Sequence, residues 1–241
     1  MSTLRHRENQ HRGFDAIRLA SLLAVLALFS PAVYGLNPAR GLLELHHTAW
    51  RVENGAPTEI QALAQTTDGY LWIGSTTGLF RFDGVRFERF EDVFGIQLPS
   101  NNIYTLWAPP AGGLWIGYRL GGASFLRNGH ATHYSERDGL PARNIIDFVQ
   151  DKSGTVWAAS AAGLWYLEGT RWYMIGPETG FPGGYTRRLY IDRDGAHWVT
   201  TNKAVVLRKP GAATFSDTGI QVSFGSVTQA RDGTFWVSDQ R

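Results

Sequence analysis

The sequence predicts an all-β fold built from repeated four-stranded antiparallel units. A tryptophan recurs at Trp72, Trp115, Trp157, Trp198 and Trp236, with spacings of 43, 42, 41 and 38 residues. Each follows a glycine-containing turn, so turn and strand stay in phase along the chain. The strand-like segments are apolar on both faces, and such strands need a packed layer on either side. Blades stacked radially supply those layers, which predicts a β-propeller.

Composition narrows the classes of function. The 241 residues include 28 Gly and 9 Trp but no Cys, which excludes disulfides, thiolate chemistry and cysteine metal sites. The net charge is +2, and the basic excess lies within the first 32 residues. The remaining chain is balanced and has no basic patch of the kind that nucleic acids require, so we expect no nucleic-acid partner.

The first residues have the pattern of an export signal. A basic start is followed by an apolar run of eleven residues, 19–29, and by small residues before a cleavage point after Ala32. Residues 1–35 are therefore predicted to be a signal peptide or membrane anchor. The run is short for a spanning helix, which needs about 20 apolar residues. An uncleaved anchor and a soluble helix remain alternatives. Both leading interpretations give a periplasmic protein, anchored in the inner membrane if the signal is uncleaved.

The repeats are predicted to occupy residues 42–241. The complete units are expected at 60–90, 103–134, 145–175 and 188–215, and a partial fifth at 223–241. In the fourth unit the last strand is weak, near Thr214 and Phe215. Residues 42–50 match a fourth, outer strand. This predicts about four blades, a partial fifth, and an open or incomplete ring. Such a chain would be the front of a longer protein or a truncated gene product; the alternative is a five-bladed ring lacking one strand.

The first unit carries a family resemblance. Residues 68–84, DGYLWIGSTTGLFRFDG, closely resemble the two-component regulator propeller repeat, and residues 50–57 are similar to the opening of such regions. Residues 138–141 and 162–165 fit the same pattern. The resemblance covers roughly residues 43–238. Gly112 and Ser153 replace the usual Asp, and Ala159 replaces a Gly, changes expected to cost regularity in the turn.

The resemblance implies the periplasmic sensor region of a membrane-bound histidine kinase in a phosphorelay. A further β-domain, a spanning helix and a cytoplasmic output usually follow in such proteins, which form homodimers. The output can instead be a diguanylate cyclase, and that sensor is the first alternative. The others are a propeller enzyme resembling a polysaccharide lyase, and a protein-binding scaffold.

No stretch matches a nucleophile elbow, a P-loop or a dinucleotide glycine pattern, so the chain is predicted to be non-catalytic and without cofactor. No metal is expected either. His46 and His47 are adjacent strand residues that point to opposite faces. Asp68, Asp194 and Asp232 head glycine turns and lack further oxygen ligands at alternate positions, which favours turn chemistry over calcium.

The five repeat tryptophans are predicted to be structural core residues. A ligand site is expected where the loops entering first strands meet those joining second and third strands. These loops also offer Asn101, Arg143 and Arg187. The candidate ligand-binding residues are Glu59, Thr76, Asn102, Arg119, Asn144, Arg188 and Asn202. Their arginines favour an anionic or polyhydroxylated ligand, a small molecule or a glycan.

Overall fold

The computed structural model describes residues 48–240. The all-β fold with four-stranded antiparallel propeller blades is confirmed. The signal or anchor helix predicted at 1–35 lies outside the described residues, as does most of the outer strand predicted at 42–50. The described end of that segment, residues 48–50, is not in a strand. Within residues 48–240 no helix is long and apolar enough to cross a membrane.

Each complete blade is an antiparallel meander in which strands adjacent in sequence are hydrogen-bonded neighbours. Blade 1 contains β1 (Ile60–Gln65), β2 (Leu71–Ser75), β3 (Leu79–Phe82) and β4 (Phe87–Arg89), followed by a short helix, α1 (Phe90–Phe94). Blade 2 contains β5 (Ile103–Trp107), β6 (Leu114–Tyr118), β7 (Ala123–Arg127) and β8 (His130–Tyr134). Blade 3 contains β9 (Ile145–Gln150), β10 (Val156–Ser160), β11 (Gly163–Glu168) and β12 (Arg171–Met174). Blade 4 contains β13 (Thr186–Ile191), β14 (His197–Thr201), β15 (Ala204–Arg208) and β16 (Ser216–Gln221). The partial fifth blade pairs β17 (Ser226–Gln229) with β18 (Phe235–Ser238).

The last strand of blade 4 differs from the sequence prediction. It occupies Ser216–Gln221 rather than the neighbourhood of Thr214 and Phe215. Phe215 is 5% exposed and packs edge-on against Phe181, with ring centroids 5.4 Å apart. Because this ring is turned into the core, pairing with β15 begins one residue later, at Ser216.

The first strands are the inner strands of the propeller. β1 packs against β5, β5 against β9, β9 against β13, and β13 against β17. The second to fourth strands follow outward in each sheet. The sheets of residues 48–240 form no closed ring, as predicted for an incomplete propeller.

The hydrophobic core lies between the blades. Trp72 packs with Leu114 and α1 between blades 1 and 2, whereas Trp115 packs with Phe148 between blades 2 and 3. Trp157 packs with Val199 between blades 3 and 4. These three repeat tryptophans are 3–5% exposed.

The core prediction fails for the last repeat tryptophan. Trp198 is half-buried, but Trp236 is 65% exposed. Burial of a repeat tryptophan requires another sheet against its blade. β18 is the outermost strand of the last described sheet, so no strand of the described chain covers Trp236.

The glycine that Ala159 replaces acts between blades rather than in a turn, contrary to the sequence interpretation. At the equivalent Gly117, an added Cβ would lie 2.6 Å from Thr105 Cγ2 and 3.0 Å from Ile145 Cβ. Both contacts are on inner strands, one of its own blade and one of the next. Ala159 is fully buried in β10, so blade 3 accommodates the methyl group at this position.

Candidate functional site

Each inner strand of the four complete blades carries one β-bulge at the same place. In β1, Ile60 and Ala62 pair with successive partners on β2, which leaves Gln61 unpaired. The same irregularity leaves Tyr104 unpaired in β5, Ile146 in β9 and Arg187 in β13. We call these four the bulge residues. Each lies eleven positions before the repeat tryptophan of its unit.

The bulge residues line one cavity of about 360 Å³ among the four inner strands. A bulge re-aims a side chain out of the regular alternation of its strand, and bulges are frequent beside functional sites. The cavity volume lies near the lower end for small-ligand pockets, roughly 300–1,000 Å³. The remaining lining residues are Ala62, Leu63, Thr105, Leu106 and Arg188.

The Arg187 guanidinium and the Tyr104 phenol line this cavity. Arg119 and Tyr185 are neighbours of these two groups and are not lining residues. The Arg119 guanidinium lies 5.8 Å from the ring centroid of Tyr104. Burial, together with the neighbouring Tyr104, raises the pKa of Tyr185 against the opposing charge of Arg187. Among residues 48–240 no carboxylate forms an ion pair with Arg187. The cavity therefore presents the Arg187 guanidinium beside the Tyr104 hydroxyl, and Arg187 also attracts the Asp147 carboxylate without forming an ion pair.

Asp147 is the acidic group next to the cavity. Its Oδ2 accepts a hydrogen bond from the Leu189 amide at 2.9 Å, and its Oδ1 lies 3.6 Å from Arg188 Nη1. Burial raises the pKa of Asp147 to about 6, although the Leu189 amide and Arg188 act in the opposite direction. The carboxylate links blades 3 and 4 and partly neutralises the charge of Arg188.

The sequence-predicted candidates lie at the loop ends and mostly pair with each other. The Thr76 hydroxyl donates to the Glu59 carboxylate, and the Arg119 amide donates to the Asn102 carbonyl at 3.0 Å. The Asn144 carbonyl accepts from the Ala161 amide at 3.1 Å, and the Asn202 amide donates to the Tyr185 carbonyl at 3.1 Å.

Of the seven candidates predicted from the sequence, only Arg188 lines the cavity. Arg119 approaches it through Tyr104. Sequence reasoning passed over Gln61, Tyr104 and Asp147. The constant spacing of eleven residues from bulge to repeat tryptophan is the signal that could have found the first two.

A larger cavity, of about 530 Å³, opens at the opposite end of the blades. It is lined by the turns between first and second strands of blades 1 and 2, together with Trp72, Arg81 and Phe94. The Arg81 guanidinium is already engaged, by Glu88 at 2.7 Å and by the Tyr70 ring at 4.6 Å. This cavity is a gap between two blades, whereas the bulge cavity is shared by four.

No group of three or more acidic or histidine side chains within residues 48–240 is arranged to hold a metal ion. In the described chain, Asp68 and Asp232 serve turns. The Asp68 Oδ1 accepts from the Thr66 hydroxyl at 2.5 Å, and the Asp232 Oδ1 accepts from the Thr234 amide at 2.9 Å.

The family comparison decides what the repeat is. Residues 54–77 match the model of the two component regulator propeller. The chain carries a two component regulator propeller repeat. The matched segment contains β1, β2 and the bulge residue Gln61. No curated protein sequence matches the chain.

Solved structures share the fold. The extracellular domain assigned to a hybrid two component system of B. thetaiotaomicron aligns with 74% of this chain and 27% of its own length, at 22% identity and a TM-score of 0.58. An extracellular domain assigned to a one component system of the same organism aligns with 77% and 29%, at 17% identity and 0.60. Virginiamycin B lyase from Staphylococcus aureus aligns with 76% and 64%, at 14% identity and 0.59.

These identities show the fold alone. The chain spans less than a third of the two extracellular domains from B. thetaiotaomicron. Extracellular domains of two component and one component systems share the architecture with a lyase, so function has to be argued from the site.

Proposed function

We propose that the chain is the extracytoplasmic sensory propeller of a membrane-bound two-component histidine kinase, and that it binds a small ligand in the bulge cavity. The observation that carries the proposal is a two component regulator propeller repeat in a chain whose four complete blades surround a polar cavity with their inner strands. The propeller itself is non-catalytic in this proposal. Its role is to convert ligand occupancy into a change that a downstream output reads.

The cavity gives this role a physical basis. Its lining comes from four inner strands, and each inner strand belongs to a different blade. One ligand therefore contacts four blades at once, and its binding favours the blade spacing that fits it best. A ligand shifts a conformational equilibrium only by its difference in affinity for the two states. In a homodimer, such a shift would alter how two sensor regions meet.

Export is part of the proposal. The basic start, apolar run and small residues of 1–35 support a periplasmic location, with inner-membrane anchoring if the signal stays uncleaved. Alkaline phosphatase fused after residue 240 is active only when exported, and we expect full activity. Deleting residues 1–35 should abolish it. Equal activity with and without these residues would contradict the location.

The sensing role is tested in cells that carry the whole gene. Removing the codons for residues 48–240 should abolish the ligand-dependent response and leave the output protein produced in normal amounts. An unchanged response would overturn the proposal. Reading the gene beyond the codon for Arg241 separates the kinase from the alternative output, because a diguanylate cyclase would follow the same sensor.

A further inference from the structure

The four bulge residues differ in chemistry although they hold equivalent places in the repeat. Gln61 offers an amide, Tyr104 a phenol, Ile146 an apolar surface and Arg187 a guanidinium. The strands around them are similar, so the blades supply a common frame. The differences lie where the chain leaves regular pairing and faces the cavity. The bulged residue is left out of the ladder pairing, and the bulge re-aims its side chain.

The balance of charge at the cavity is positive. Arg187 and Arg188 both line it, and Asp147 is the carboxylate within reach of Arg188, at 3.6 Å. Arg188 is half-exposed, whereas the Asp147 side chain is 16% exposed and also holds the Leu189 amide. Arg187 forms no ion pair within the described chain, and it interacts with the Tyr185 side chain and, at longer range, with Asp147. A planar guanidinium binds carboxylate or phosphate oxygens through two parallel hydrogen bonds.

We infer that the bulge cavity selects a small ligand by an oxyanion, a carboxylate or phosphate group held by Arg187, and that the four bulge residues set its specificity. The inference rests on the proposed function and names the ligand class of the same site. Tyr104 and Gln61 donate hydrogen bonds to the oxyanion or to neighbouring hydroxyls. Ile146 forms the apolar wall. Asp147 holds Arg188 in place and repels a second negative charge.

The test uses the full chain and isothermal titration with defined probes. Galacturonate and galactose have nearly the same shape and differ by one carboxylate, and inorganic phosphate tests the other oxyanion. We expect galacturonate or phosphate to bind at least about tenfold more tightly than galactose, the worth of about one charge-assisted hydrogen bond. Raising the salt concentration should weaken the binding of the anions only.

Variants assign the effect to the site. Arg187→Gln should weaken anion binding at least about tenfold and leave the melting temperature near that of the wild type. Arg171→Gln is the matched control, because Arg171 is exposed on the outer strand β12 and its loss changes the net charge equally. Tyr104→Phe keeps the ring and should reduce anion binding by a smaller factor.

Three results overturn the inference. The first is equal affinity for galactose and galacturonate, and the second is an equal loss of anion affinity in the Arg171→Gln control. The third is no binding of galacturonate or phosphate at about 10 mM, a concentration far above the dissociation constants of specific recognition. Each of them leaves the proposed sensing function to the deletion experiment in cells. If the cellular response persists and the chain binds a neutral ligand instead, the proposed sensing function stands and the inferred oxyanion recognition is wrong.

Discussion

The indole of Trp157 donates a hydrogen bond to the carboxylate of Asp151, with Nε1 2.9 Å from Oδ2. The other oxygen, Oδ1, accepts from the amides of Ser153 and Thr155 at 2.9 and 3.0 Å. One side chain therefore fixes both the turn and the tryptophan that follows it. Blade 4 repeats the arrangement, with Trp198 Nε1 2.8 Å from Asp192 Oδ2.

Removing this carboxylate should destabilise blade 3. In Asp151→Ala, the Trp157 indole N–H and two turn amides lose their acceptor. A hydrogen bond to a charged group contributes about 1.5–3 kcal/mol, and we expect a loss of about 2–3 kcal/mol in the free energy of unfolding. Urea denaturation of the full chain, followed by tryptophan fluorescence, measures the loss.

Asp194→Ala is the matched control. Asp194 belongs to the Asp-Gly turn of blade 4, but its side chain is exposed, and Asp192 accepts the turn amides instead. We expect a change within about 0.5 kcal/mol, as for other surface substitutions. Equal losses in the two variants would show that the aspartate beside the glycine matters as much as the one bound to the tryptophan.

The close approach of blades 2 and 3 at Gly117 gives a second prediction. A methyl group there would lie 2.6 Å from Thr105 Cγ2 and 3.0 Å from the Ile145 carbonyl oxygen. Overpacking of this kind typically costs about 1–3 kcal/mol, the loss expected for Gly117→Ala in thermal unfolding. Thr105→Ser removes the nearest methyl group and should recover part of it. A double variant no more stable than Gly117→Ala alone would refute this contact as the cause.

Asp147 makes stability depend on pH. Its pKa in the folded chain is raised to about 6 by burial, from an ordinary value of 3.8, so the folded state holds a proton more tightly than the unfolded state. The stability that the protonated carboxyl contributes is fully present below about pH 4 and is lost as pH rises through about 6. Asp147→Asn should therefore be more stable than the wild type at pH 7, by at most about 3 kcal/mol, and equal to it near pH 4.

Chemical denaturation across pH 4–7 measures this difference, with Asp194→Asn as the exposed control. A stability difference that does not change with pH would exclude titration of Asp147 as the cause. Loss of stability at pH 7 would show that pairing with Arg188 outweighs the cost of burying the charge.

His197 should affect the pH dependence of stability in the direction opposite to Asp147. Its ring packs on Trp157 at 4.9 Å, and its Nε2 lies 3.3 Å from Arg208 Nη2 and 3.5 Å from Asp151 Oδ2. Burial, and then Arg208, lower the pKa of His197 below 6.5 despite the attraction of Asp151 and Asp192. The neutral ring stabilises the folded chain above pH 6.5, and this stability is lost as pH falls further.

His197→Gln should flatten the loss of stability as pH falls below about 6.5, because the unfolded chain no longer gains that proton. Melting temperatures across this range provide the measurement, and His130→Gln on the exposed start of β8 is the control. If His197→Gln keeps the wild-type slope, His197 is not the titrating group.

The fold was largely readable from local chemistry. Turn glycines, the repeat tryptophans and strand-length apolar segments predict the blades because each is set within one unit. The exposure of Trp236 was not readable, since burial of that residue depends on a sheet that packs over it. The position of β16 escaped prediction for a related reason, because the contact of Phe215 with Phe181 is tertiary.

The residues predicted from the sequence lie at the same end of the blades as the bulge cavity, but farther out than its lining. Loop residues such as Asn102 and Asn202 use their backbones to close the loop ends, and the cavity lies inward of them. A search for alternating apolar and polar residues does not detect a bulge, because one extra residue in a strand moves all following side chains to the opposite face of the sheet. Counting eleven residues back from each tryptophan identifies the bulge residues without a structure.

Hydrogen exchange of the full chain tests most directly whether four inner strands share one ligand-binding cavity. Galacturonate, which carries a single carboxylate, is the probe. We expect slower exchange in peptides that cover β1, β5, β9 and β13, with the outer strands β4, β8, β12 and β16 unchanged. Protection confined to the turns at 66–69 and 111–113, which line the other cavity, or no protection anywhere, would contradict the account.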